Sequence, residues 1–256
     1  DVLEGDGVQD PGEDSVRVEI NAGYPDWAGL GEFYIGKKFQ RIFYSRQSGG
    51  WSENVTWSFE GHDGTVAPGG EYPNMDPLEI EDDVRVGDDE NHLVEMTANS
   101  SATIYNLDVY GNAKLDLNGS VIESSTSGSF TLGHPSFPSA ADDPAIASNT
   151  DGFPNISFLN FNSYYVGLNS IVELDGILGE DQVVLSNPFT GQQYGTLMCT
   201  NPGTKYVYNP VILRKHLINN ANSNIVIDDC LDAFRVRGGV LNSGLIDNNG
   251  ILEIGQ

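Results

Sequence analysis

Short bursts of alternating apolar and polar residues recur along this chain, and Gly, Asn or Ser residues separate the bursts. The clearest run is Thr103–Leu132, and the pattern returns at Gly239–Gly255. Strand side chains alternate between two faces, so each burst can bury only one side, and the Gly and Asn residues turn the backbone between bursts. In the first run the apolar residues are Ile104, Leu107, Val109, Leu115, Leu117, Val121, Ile122, Phe130 and Leu132.

This pattern predicts an all-β fold in which the coils of a parallel β-helix, or β-solenoid, stack on one another. We expect strands in 78–132, 155–177 and 225–254, with parallel pairing between successive coils. The segment Val211–Ile218 is the one stretch whose apolar spacing predicts a short helix.

Composition shifts divide the chain further. Residues 1–45 are predicted to form an acidic leader followed by an N-terminal strand and a cap, which a solenoid needs because its terminal coil would otherwise expose an apolar cross-section. Residues 46–256 are predicted to form the solenoid. Irregular protruding loops are expected at about 134–154, which is rich in Pro, Ala, Ser and Asp, and at about 186–210, which contains Pro188, Pro202 and Pro210.

The excess of acidic over basic residues limits the classes of partner that this chain can bind. With 37 acidic and 12 basic residues the formal net charge is -25. Nucleic acid is excluded as a partner because its phosphates need Lys and Arg for neutralisation. No apolar run is long enough to span a membrane. An acidic chain of this kind is typical of soluble extracellular proteins, or of proteins that collect divalent cations.

Two acidic corners are the candidate metal site. Oxygen-rich turns suit Ca²⁺, which accepts several carboxylates in loose geometry. Solvated acidic turns are the alternative interpretation. Four scattered histidines show no ligand spacing for a transition metal, and no other cofactor is expected. The candidate calcium ligands are Glu81, Asp82, Asp83, Asp88, Asp89 and Glu90.

Cys199 and Cys230 are the only cysteines. They are a candidate extracellular disulfide, and two buried free thiols are an equal alternative.

The only cluster of basic residues in the sequence is Arg214, Lys215 and His216. In a polysaccharide lyase built on a β-helix, such residues could neutralise a uronate and abstract its proton. A salt-bridged surface patch is the alternative. An extended groove lined by these residues with Tyr164 and Tyr165 would favour carbohydrate chemistry.

The segment 41–80 contains FYSRQSGGWSENVTWS followed by the loop YPNMD. It resembles a segment of large surface proteins of Bacteroidota, including substrates of the type IX secretion system. The spacing of Trp51 and Trp57 is also similar to that in the eight-glycine extracellular domain. This chain departs from the resemblance in an acidic insertion around residues 88–92. The resemblance implies a right-handed β-helical module in an adhesin or a gliding-motility protein. It does not imply an enzymatic activity.

Trp51, Trp57 and Tyr72 are the predicted cap of the solenoid, with the indole N–H groups bonded to loop carbonyls. A sugar-stacking platform is the alternative for the two tryptophans. The expected function is that of a non-enzymatic, extracellular or outer-surface structural or adhesive module. Its expected partners are other surface or secretion-system proteins, or extracellular polysaccharide. A carbohydrate-active, lyase-like protein or a carbohydrate-binding β-helix is the alternative.

Overall fold

The structure, a computed structural model, describes residues 15–18, 33–36, 41–75, 82–87, 92–125, 128–133, 145–148, 158–176, 181–184, 194–208, 210–228 and 234–255. These residues form 26 strands and two 3-10 helices, Asn54–Thr56 and Pro68–Gly70. The strands in chain order are β1 (Ser15–Val18), β2 (Phe33–Gly36), β3 (Ile42–Ser45), β4 (Gly49–Gly50), β5 (Trp57–Ser58), β6 (Asp83–Val86), β7 (Leu93–Glu95), β8 (Ser101–Ile104), β9 (Asn106–Val109), β10 (Lys114–Asp116), β11 (Val121–Ser124), β12 (Ser129–Leu132), β13 (Ala145–Ser148), β14 (Phe158–Leu159), β15 (Ser163–Val166), β16 (Ile171–Leu174), β17 (Gln182–Val184), β18 (Thr196–Cys199), β19 (Gly203–Val207), β20 (Ile212–Leu213), β21 (Leu217–Asn219), β22 (Ser223–Ile227), β23 (Phe234–Val236), β24 (Val240–Asn242), β25 (Leu245–Asn248) and β26 (Leu252–Ile254).

The chain divides into two compact units, Asp1–Gln40 and Arg41–Gln256. In the first unit β1 and β2 pair antiparallel. The second unit begins a few residues earlier than the sequence-based boundary after residue 45. It does so because β3 pairs in parallel with β6 and is therefore part of the solenoid.

Parallel strands stack on three sides of the second unit. Sheet I has eight strands in the order β4, β7, β10, β13, β16, β18, β21 and β24. Sheet II (β15, β12, β9, β6, β3, β5) and sheet III (β8, β11, β14) form the other two sides of the early coils, and all of their pairings are parallel except that of β3 with β5, which is antiparallel. Sheet V (β20, β23, β26) and sheet IV (β17, β19, β22, β25) form those sides in the later coils. The predicted all-β solenoid with parallel coils is confirmed.

One apolar interior runs through the stacked coils. In sheet II, Val84, Leu107, Phe130 and Tyr164 are partners in successive strands, and all four point inward and are buried. The intervening residues of each strand face outward, which is the alternation that the sequence displays. Burial of this column is the main stabilising contribution, at about 25 cal/mol for each Å² of apolar surface removed from water.

Close packing at the corners of the coils requires small residues. A Cβ at Gly128 would lie 1.8 Å from the Tyr105 carbonyl oxygen, so a side chain there would force the backbone apart. Asn118 has φ of 47° and Gly119 has φ of 79°, the left-handed conformation that Asn and Gly tolerate best. The Gly and Asn residues between bursts therefore turn the coil, as the pattern predicts.

Two local predictions are wrong. The segment predicted as a helix, Val211–Ile218, contains β20 and the start of β21, which are separated by a corner at residues 214–216. The predicted loop at 186–210 contains β18 and β19, and β13 lies inside the predicted loop at 134–154. In each of these segments, parallel pairing with adjacent coils stabilises strands that the local sequence does not indicate.

None of the described residues belongs to a helix of the length and apolarity that crossing a membrane would need.

Candidate functional site

The two tryptophans lie together at the N-terminal end of the solenoid. Trp51 follows β4 and Trp57 opens β5, so they occupy the edges of sheets I and II. Trp57 is fully buried and Trp51 nearly so. The Trp51 indole N–H donates to the Pro73 carbonyl at 3.1 Å, and that of Trp57 donates to the Trp51 carbonyl at 2.7 Å. Tyr72 packs, partly buried, against the same core. The burial of the rings leaves no open face on Trp57 for stacking a sugar.

A polar cluster that the sequence pattern does not reveal lies beside this end. The Ser45 hydroxyl is 3.1 Å from Nδ1 of His92 and accepts the Gly87 N–H at 3.1 Å. His62 contacts the Ser45 carbonyl through Nδ1 and the Tyr110 hydroxyl through Nε2. A serine beside a histidine is the arrangement of nucleophilic catalysis. Here Ser45 has no exposed surface, so no substrate can reach it, and the cluster serves to satisfy buried polar groups.

The structure describes two of the six candidate calcium ligands. The Asp82 carboxylate is buried and forms a bidentate ion pair with the Arg41 guanidinium. Each of its two oxygens lies 3.1 Å from a guanidinium nitrogen. Asp83 accepts a hydrogen bond from the side-chain amide of Asn106 at 2.8 Å. Over the ranges that the structure describes, no three His, Cys, Asp or Glu side chains are grouped to hold a metal ion. The calcium site stays a prediction, and its other four members, Glu81, Asp88, Asp89 and Glu90, lie outside the described residues.

A second acidic group lies on the outside of sheet I. Lys114 donates to Glu173 at 2.6 Å, and Asp116 and Asp175 are close to this pair. Burial raises the pKa of Asp175 to about 6, and the negative charges of Asp116 and Glu173 add to the shift. One Asp175 oxygen is buried without a hydrogen-bond partner. Among the carboxyl groups that the structure describes, Asp175 is therefore the one that changes its charge near neutral pH.

The residues that were predicted to line a carbohydrate groove are only partly brought together. Tyr164 points into the core, whereas Tyr165 faces outward from β15. Arg214 lies near Tyr165 and Arg237, and electrostatic interactions with both affect its pKa. Its guanidinium donates a hydrogen bond to the Val166 carbonyl. His216 accepts the Gly239 N–H on Nδ1 at 3.0 Å, so it holds a turn.

An aromatic pair that the sequence analysis did not select lies on sheet IV. Tyr206 and Tyr208 are two residues apart at the end of β19, where strand alternation puts both on the outer face. Their rings are parallel, with an interplanar angle of 2° and a centroid distance of 5.5 Å. Tyr208 is 47% exposed. Partial desolvation raises the pKa of Tyr208, and the nearby charges of Asp228 and Asp181 act in the same direction.

The solenoid interior also holds a thiol and an amine. Cys199 is a free, fully buried thiol, and burial raises its pKa to about 12. Lys205 has no exposed surface, and burial lowers its pKa. Its ammonium donates to the Asn201 carbonyl at 3.4 Å. Cys230 lies outside the described residues, so its pairing with Cys199 stays a prediction.

No protein-family profile, curated protein or solved structure matches this chain.

Proposed function

We propose that this chain is a secreted or cell-surface β-solenoid module and that it forms an adhesive or structural part of a larger bacterial surface protein. Its partners are other surface or secretion-system proteins, or extracellular polysaccharide. The resemblance of residues 41–80 to Bacteroidota surface proteins supports this proposal, with type IX secretion as the export route and gliding motility as one setting.

The observation that carries the proposal is the continuity of sheet I through eight strands. Each coil satisfies the backbone hydrogen bonds of its neighbours, and one apolar interior joins the coils. Such a stack is stiff along its axis, and it fixes the outward side chains in register from coil to coil. A stiff scaffold with an ordered outer surface suits a protein that holds binding groups away from a cell.

Labelling of intact cells tests this proposal. Antibodies against the chain should bind producing cells without permeabilisation, and protease treatment of intact cells should remove the signal while a cytoplasmic marker survives. Beads coated with the chain should also adhere to those cells or to their extracellular matrix. Labelling that requires permeabilisation would contradict the proposal.

The parallel tyrosines favour carbohydrate binding as a second candidate function. An exposed aromatic face stacks on the apolar face of a sugar ring, and neighbouring carboxylates accept hydrogen bonds from its hydroxyl groups. Tyr208 supplies the face, and Asp181 and Asp228 are close enough to affect its ionisation. In this proposal the site binds a neutral glycan and carries out no reaction.

Substitution of one ring tests this candidate. Tyr208→Ala should weaken binding to a neutral glucan by about tenfold, as is typical for the loss of one stacking contact. The matched control is Tyr208→Phe, which keeps the ring and should retain most of the affinity. Equal losses in both variants would show that the hydroxyl group, and not stacking, carries the binding.

A further inference from the structure

We propose that the outer face of sheet V binds a carboxylate-bearing polysaccharide through Arg214 and Arg237, which stand at the same position in successive coils. We call these two residues, with Lys215 and Arg235, the arginine ladder. The inference deepens the proposed adhesive function because it names the class of ligand, and it depends on that function only for the choice of a polymer.

The register of sheet V brings the two arginines together. Leu213 of β20 pairs with Val236 of β23, and the next residues along the chain are Arg214 and Arg237. The Arg237 N–H donates to the Leu213 carbonyl at 2.9 Å, which continues the parallel ladder at this point. Adjacent strands lie about 4.8 Å apart, so the two side chains leave the coil about one strand spacing from each other.

Two like charges at this spacing repel each other. Arg214 is half-buried, and burial lowers its pKa, while the charge of Arg237 acts in the same direction. The Arg214 Nε is buried without a hydrogen-bond partner among the described residues. An anion between the two guanidinium groups would relieve the repulsion and accept hydrogen bonds from both.

A cavity of about 320 Å³ opens beside the ladder. Arg235 and Glu253, which both line it, form an ion pair at 2.7 Å, and Ile212 contributes an apolar surface. Arg237 also lines the cavity and is exposed, so its guanidinium is accessible from solvent. Sites for small ligands combine an apolar surface with a few oriented polar groups in this way.

The charge of the ladder contrasts with that of the chain as a whole. Arg214, Lys215, Arg235 and Arg237 are four of only 12 basic residues in a chain with 37 acidic ones. A local positive region in an acidic protein selects anions at short range, while the net charge of -25 repels polyanions elsewhere on its surface. Arginine pairs with carboxylates through two parallel N–H···O bonds, and this geometry favours a carboxylate over a diffuse charge.

The surroundings of the ladder favour a glycan over the acidic surface of a second copy. The Tyr165 ring, which faces outward, lies near Arg214, and Ile212 lines the cavity. These groups suit the mixed polar and apolar faces of a sugar ring. Arg214 and Arg237 follow each other along the solenoid axis in two successive coils, so a linear polymer that runs in this direction can contact both.

Binding of polygalacturonate tests the proposal, with its methyl ester as the ligand control because esterification removes the charge and keeps the chain. The wild-type chain should bind polygalacturonate, and it should bind the methyl ester at least tenfold more weakly. Arg237→Gln should weaken binding of the acid form by about tenfold, which corresponds to one charge-assisted contact. Bound polygalacturonate should also raise the unfolding temperature of the wild-type chain.

Arg85→Gln is the matched protein control. Arg85 is an exposed arginine on sheet II that pairs with Asp108 at 3.7 Å, so its loss changes the net charge equally. Equal weakening by the two substitutions, or equal binding of the acid and the ester, would overturn the proposal. If the wild-type chain does not bind polygalacturonate, the proposal is overturned too. It is also overturned if the wild type is a dimer and Arg237→Gln is a monomer, because a second copy of the chain would then occupy the ladder. Each of these failures would leave the cell-surface location unaffected, because intact-cell labelling measures that separately.

Discussion

Asn219 donates a hydrogen bond from its side-chain amide to Oδ1 of Asn242, its partner one coil later, at 2.8 Å. The same amide donates to the Leu245 carbonyl at 3.1 Å. Asn219 is buried, whereas Asn242 is exposed on the last described coil. Stacked asparagines of this kind add side-chain hydrogen bonds to the backbone ladder, and they fix the register of one coil on the next.

Asn219→Ala should therefore lower the free energy of unfolding by about 2 kcal/mol, because it removes both hydrogen bonds from a buried site. Asn242→Ala is the matched control. It should cost less than about 1 kcal/mol, since position 242 is open to water and Asn219 keeps its bond to Leu245. Urea denaturation of the two variants measures the difference. Equal losses would show that the amide ladder contributes no specific stability.

The alternation of apolar and polar residues predicts the solenoid. It does not predict which residues of adjacent coils lie side by side. Ile104 and Leu107 were predicted to face the core from their spacing, and both are fully buried. The contact of Arg214 with Arg237 could not be predicted in the same way, because the number of residues in each coil varies and the sequence does not specify which strands are partners. Only the register of β20 with β23 places these two residues side by side.

The error at Val211–Ile218 has a related origin. Leu213 and Leu217 are buried, and their separation of four residues fits one face of a helix as well as two short strands. Strand β21 pairs with adjacent coils on both sides, and β20 pairs with β23 on one side and forms the bridge of Leu213 with Tyr194 on the other, so this tertiary context decides the outcome. The parallel stack of Tyr206 and Tyr208 has no signal in the sequence, because the prolines at 202 and 210 on either side of it are typical of a loop.

The Asp175 carboxyl should make stability depend on pH near neutrality. Its folded-state pKa of about 6 lies above the ordinary value of 3.8, so the folded chain binds the proton more tightly than the unfolded chain does. Stability should therefore fall as the pH rises from about 4 to above 6, where the folded carboxyl ionises beside Asp116 and Glu173. Because the group is partly solvated, we expect this loss to be about 1 kcal/mol.

Asp175→Asn tests that sign. The variant should be more stable than the wild type at pH 8, and the advantage should disappear at about pH 3, which lies below the pKa of the aspartic acid in both states. The comparison needs melting curves at both pH values in the same ionic strength. A constant difference at the two values would mean that packing, and not ionisation, distinguishes the side chains.

Trp57 should be the most costly aromatic residue to remove from the N-terminal end. Its ring is fully buried and contacts Trp51 and Phe43 edge-on, at centroid distances of 5.4 and 6.2 Å. Trp57→Ala should lower the free energy of unfolding by about 3–5 kcal/mol, the range for truncation of large aromatic residues in cores. Trp57→Phe keeps an aromatic ring and loses the bond to the Trp51 carbonyl, so it should cost less. A melting temperature unchanged in Trp57→Ala would contradict the cap.

The ion pair of Asp82 with Arg41 gives a last prediction, and it bears on the candidate calcium site. Asp82 is almost completely buried, and both of its oxygens accept hydrogen bonds from the Arg41 guanidinium. Asp82→Asn would remove the negative charge that pairs with Arg41 while the Glu71 carboxylate stays 2.9 Å from the guanidinium, so it should cost about 2 kcal/mol. Asp108→Asn is the control, because it disrupts the exposed pair with Arg85 and should cost less than about 1 kcal/mol. The loss in Asp82→Asn should be the same in EDTA and in millimolar CaCl₂, since Arg41 already occupies the carboxylate. A loss confined to the calcium-containing samples would instead identify Asp82 as a calcium ligand.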